Sequence, residues 1–69
     1  MEITREYLNT ICIVLTKKYG LDKKNQHIAA MFQDNDHNEI IGWAILDENN
    51  NIINRFDSLN DIRIKNEDV

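Results

Sequence analysis

The hydrophobic period of this chain changes once, and that change limits what the chain can fold into. Across residues 3–19 the apolar side chains Ile3, Tyr7, Leu8, Ile11, Val14, Leu15 and Tyr19 recur at spacings of three and four, the period of a helix with one buried face. Cys12 and Ile13 widen the stripe. Lys17 and Lys18 stand where the helix macrodipole favours cations, Gly20 suits a left-handed cap, and Leu21 is placed to fold back on Leu15. After a polar connector at 22–26 the period becomes two. Residues 27–32, 39–46 and 51–56 are short Ile-rich runs separated by Asn and Asp clusters, the pattern of three antiparallel strands in a meander. Asp57 or Ser58 can then cap a short helical turn, with Leu59 and Ile62 three apart on one face. Residues 65–69 form a charged tail expected to fray. The reading is α+β: one N-terminal helix packed on a three-stranded antiparallel β-meander, followed by a short C-terminal helical turn.

A chain of 69 residues makes a single small domain, close to the lower limit at which one hydrophobic core holds without help. The lone cysteine, Cys12, has no disulfide partner in the chain. A free thiol and the lack of any apolar run near 18 residues point to a cytoplasmic protein. Abundant Asn and Ile with no proline suggest an AT-rich genome, such as that of a low-GC bacterium or its phage.

Two stretches invite comparison with a calcium loop, which needs oxygen ligands at its first, third and fifth positions, Gly at the sixth and Glu at the twelfth. Asp34, Asp36 and Asn38 meet the first three, but Glu39 stands sixth and Ile45 twelfth. Asp47, Asn49 and Asn51 repeat the pattern with Ile52 sixth and Ser58 twelfth. Both stretches are sufficiently explained as hairpin turns. Cys12 lies within the apolar stripe, where a catalytic thiolate is not expected. His27 and His37 fall at opposite ends of one strand, roughly 20 Å apart or more at about 3.3 Å per residue. Ser58 has no evident histidine partner, and the two glycines, Gly20 and Gly42, make no phosphate cradle. No cofactor or metal is expected, and a chain this short can rarely spare a catalytic pocket from its core, so it is read as a non-enzyme.

The middle strand carries the functional clue. Strict alternation puts Ile41, Trp43 and Ile45 on one face and Ile40, Gly42, Ala44 and Leu46 on the other. Apolar side chains on both faces imply cover on both, and with one long helix available, a second copy of the chain or a partner protein is expected to supply the rest. Charge is lopsided as well: residues 1–24 carry +2 and residues 25–69 carry −6, for a net of −4. In the meander Lys17, Lys18, Lys23 and Lys24 gather near Asp47 and Glu48, while Asp34, Asp36, Glu39 and Asp57 collect at the other end. The sequence therefore leads us to expect a small acidic protein that acts by stoichiometric protein binding. The type expected is a bacterial or phage regulator or inhibitor (immunity, antitoxin or anti-defence) that blocks a larger protein. Ile41, Trp43, Ile45 and Ile53 would form the apolar contact centre, with Asp34, Asp36, Glu39 and Asp57 supplying charge complementarity. The expected partners are a second copy of the chain, a larger protein with a basic or apolar surface, or both, with no direct nucleic-acid or membrane contact. Two alternatives stand beside this: a nucleic-acid mimic that occupies a partner's phosphate-binding groove, and a cation-binding module that uses the 34–39 turn.

Overall fold

A computed structural model describes residues 1–65 as one helix and a curled four-stranded sheet. In chain order these are β1 (Glu2–Ile3), α1 (Arg5–Lys18), a 3-10 turn (Leu21–Lys24), β2 (His27–Gln33), β3 (Asp36–Leu46) and β4 (Ile52–Ile64). The sheet order is β1-β4-β3-β2, with β2, β3 and β4 antiparallel and β1 parallel to β4.

The helix is delimited by local chemistry. Thr4 caps it by accepting from the Tyr7 amide at 3.0 Å, and Gly20 leaves it in the left-handed region at φ 67°. Ile3 does not belong to the helix as its spacing suggests. It is the buried end of β1, whose partner is Ile64, and the Lys65 amide donates to the Ile3 carbonyl at 2.7 Å.

Both Asn/Asp stretches turn the chain. Gln33 pairs with Asp36, so Asp34 and Asn35 form a two-residue turn. Asp47 Oδ1 accepts from the amides of Asn49 and Asn51 at 2.8 and 2.9 Å, while Asn50 takes φ 64°. Here the side chain does the work of a backbone turn.

Three features depart from the sequence reading. First, no C-terminal helical turn forms; β4 runs on to Ile64 and gives β3 a partner along most of its 11 residues. The period-two alternation of buried Ile62 and Ile64 with exposed Asp61 and Arg63 wins over the three-residue spacing of Leu59 and Ile62. Leu59, assigned to a buried helical face, is 96% exposed. Second, the meander is joined by β1, too short to show a period. Third, α1 lies against β2 rather than across the middle of the sheet.

The core is thin. Ile3, Leu8, Ile40, Ile62 and Ile64 form its centre, with Ile11, Cys12, Ala30, Phe32 and Trp43 packed around them. No large side chain among the described residues is wholly removed from solvent. Ile41 is an extra residue of β3 opposite β2 and breaks the alternation of β3, while on the β4 side it faces a wider bulge, residues 58–61, between Asp57 and Ile62. Such a bulge resets which face each residue takes, and Ile40 thereby packs in the same cluster as Trp43 instead of opposite it. Where β3 continues, the face away from the helix carries Gly42, buried Ala44 and Leu46, with Ala29 and Met31 beside them on β2.

Gly42 is required. A Cβ there would run into the carbonyl oxygen of Phe56 on the neighbouring strand, so only glycine permits the close approach of β3 and β4.

Candidate functional site

Because α1 lies over β2, the same side of β3 and β4 is left partly uncovered. The gap is a groove of about 490 Å³. It is lined by Leu15, Tyr19 and Leu21 from the helix and the turn after it, and by Ile28, Trp43, Ile45 and Phe56 from the three long strands. The lining side chains are apolar. Trp43 and Ile45 are half-buried, whereas Tyr19 and Phe56 stand 62% and 49% exposed at the mouth. Charge enters only at the edge, where the Lys18 ammonium lies 5.7 Å from the centre of the Tyr19 ring, within the range of a cation–π contact. This short chain therefore does spare a cavity from its core, one whose lining carries the Tyr19 phenol among otherwise hydrocarbon and indole side chains.

Of the expected contact residues, the structure brings Trp43 and Ile45 together in the groove. Ile41 is exposed at the bulge and Ile53 is exposed on β4, at 45% and 50%; neither lines the groove. Tyr19, Leu15, Leu21, Ile28 and Phe56 were not among the expected site residues. Their signal was a stripe wider than one helix face needs, together with an aromatic residue on a strand with little cover.

The acidic residues divide into three places. Asp34 is exposed in the β2–β3 turn. Asp36 and Glu39 hold Arg63 at 2.8 and 3.6 Å. The Asn38 amide, at 3.0 Å from the Asp36 carboxylate, and then Arg63 lower the Asp36 pKa below the ordinary aspartate value. Asp57 does not join this end of the sheet, because β4 continues past it; it pairs with Gly42 in mid-sheet, two residues from Arg55 on the same face.

The remaining chemical candidates are held by structure. Cys12 lies beside the outer edge of β2, where burial pushes its thiol pKa up and the neighbouring Ala30 amide draws it partly back. Thr16, one turn on, donates to the Cys12 carbonyl at 2.7 Å and accepts from the Ile28 amide at 3.0 Å. His27 and His37 stand at opposite ends of the β2–β3 hairpin. The Ser58 hydroxyl donates to the Asn60 carbonyl at 2.6 Å. Among the described residues no three His, Cys, Asp or Glu side chains are grouped to hold a metal, and no helix is long and apolar enough to cross a membrane.

No protein-family model, no curated protein and no solved structure matches this chain, so the functional reading rests on its own geometry.

Proposed function

We propose that this protein acts in the cytoplasm by stoichiometric binding of a larger protein, as a bacterial or phage regulator or inhibitor of the immunity, antitoxin or anti-defence kind, and not by turnover. The observation that carries the reading is the apolar groove over Trp43 and Ile45, open to solvent between Tyr19 and Phe56. A pocket with apolar walls and aromatic residues at its mouth suits the anchoring side chains of another polypeptide.

The other two readings have weaker support. A nucleic-acid mimic needs a continuous array of unpaired negative charge, whereas Arg63 sits between Asp36 and Glu39 and Arg55 stands two residues before Asp57. A cation module needs free carboxylate oxygens in the 34–39 turn, whereas Asp36 already accepts from Asn38 and Arg63.

Replacing Trp43 would not separate binding from folding, because Trp43 packs against the core. Tyr19→Asp is the better probe, since Tyr19 is largely exposed at the mouth. The wild-type chain, used as bait in a low-GC bacterial lysate, should retain one protein in equimolar amount. Titration with that purified partner should shift the emission of Trp43, the chain's single tryptophan, to the blue, and Tyr19→Asp should lose both effects. Equal retention by the variant with unchanged Trp43 emission would overturn the assignment of the groove.

A further inference from the structure

We propose that β4 pairs edge to edge, antiparallel, with β4 of a second copy of this chain, across a two-fold axis at Phe56. The inference concerns the backbone edge of the sheet and does not depend on the groove reading.

Among the described residues β4 is unpaired along much of its outer edge, since β1 covers it at Arg63 and Ile64. The direction of the free backbone groups follows from the register. The Ile28 amide points outward from the sheet, to Thr16. In an antiparallel ladder the amide and carbonyl of one residue point to the same side, and successive residues alternate. Ala29 and Met31 therefore bond Ala44 and Gly42, and Trp43 and Ile45 bond Phe56 and Asn54. The amides and carbonyls of Arg55 and Asp57 are left pointing out of the sheet, where the Arg55 amide donates to the exposed Asn54 Oδ1 at 2.9 Å, a local bond that pairing with a second strand would have to displace.

The side chains fit the same two-fold. With the axis at Phe56, Arg55 faces Asp57 of the copy and Asp57 faces its Arg55, so opposite charges meet twice. Both are hydrogen-bonding positions, and the register supplies their outward-pointing groups. Phe56 meets Phe56 as the central non-hydrogen-bonded pair, the position where side chains approach most closely. The regular ladder ends there, because β4 leaves its register with β3 at residues 58–61.

The assembly closes at two. An isologous contact uses its own surface up, and the other edge, β2, is blocked by α1 through Thr16. A contact centred on residues 55–57 is smaller than a standard interface, which makes it weak and concentration-dependent.

The test is the solution mass of the full chain by sedimentation, from about 1 µM to about 1 mM, a range chosen to bracket a weak interface. Three samples are compared: wild type, R55D and D57R, each checked for folding by circular dichroism. The wild type should rise from 8.1 kDa toward twice that mass. Each variant sets like charges opposite each other at both pairs and should associate about tenfold more weakly or worse. The two variants are complementary to each other, so their equimolar mixture should recover the dimer. A wild type that stays monomeric would overturn the proposal, as would single variants that dimerise like the wild type, or a mixture that stays monomeric.

Discussion

The two edges of this sheet are treated oppositely. At β2 the helix lies alongside, and the Thr16 hydroxyl takes the outward Ile28 amide. Among the described residues the first half of β4 has no neighbour on its outer side, and its outward groups at Arg55 and Asp57 lie beside exposed Ile53, Phe56 and Leu59, with the Arg55 amide held by the Asn54 side chain. Proteins usually blunt such an edge with charge, a bulge or a covering element, because an open one templates pairing. Here one helix is enough to close one edge, and the other carries alternating opposite charge. The same economy opens the groove, since a helix committed to β2 cannot also cover Trp43. In a small domain with a single helix, the position of that helix decides both which surface is closed and which remains to bind.

The comparison can be broken at several points. The largest effect should come from Ile62→Ala, which removes core contact from the closed half of β4 and should cost about 2–5 kcal/mol, as large-to-small core changes do. Urea unfolding would measure it; an unchanged midpoint would mean that Ile62 is not the anchor of the strand. Next is Thr16→Val, which keeps the shape but leaves the Ile28 amide without its acceptor. The expected loss is about 1–3 kcal/mol, with the mass behaviour at β4 unchanged. The smallest effect concerns pH. The carboxyls of Asp36 and Asp47 both lie below the ordinary value of 3.8. Their stabilisation is therefore complete at neutral pH and is lost as pH falls through those lowered values. Asp36→Asn, which releases one side of Arg63, should lower the melting temperature slightly at pH 7 and flatten its decline on acidification; an identical pH profile would show that the Arg63 pair contributes nothing.

Much of this architecture was legible in the residues because its causes are local. The helix, Gly20 at its end and the Asp47 turn each follow from side chains within a few positions of one another, although of the apolar stripe only Leu8, Ile11 and Leu15 are covered while Tyr7, Val14 and Tyr19 are more than half exposed. What could not be read depends on distant partners. β1 is two residues long and exists only because Arg63 and Ile64 lie beside it. The second half of β4 offers one spacing that suits a helix, Leu59 to Ile62, and one that suits a strand, Ile62 to Ile64; the unmet pairing of β3 selected the strand. The bulge at Ile41 moved Ile40 into the core and undid the strict two-face reading of β3. For the site, Trp43 and Ile45 could be chosen as apolar anchors, but the groove they line depends on α1 settling over β2, which no spacing records.

The most direct test of the contrast between the edges is amide hydrogen exchange, followed residue by residue at low and at high protein concentration. At low concentration the Ile28 amide should be protected, while that of Asp57 exchanges freely and that of Arg55 is slowed only by its exposed Asn54 bond; at high concentration Arg55 and Asp57 should gain protection and Ile28 should not change. Protection of Asp57 that is already present at low concentration, or protection of the two that does not grow as concentration rises, would contradict the account.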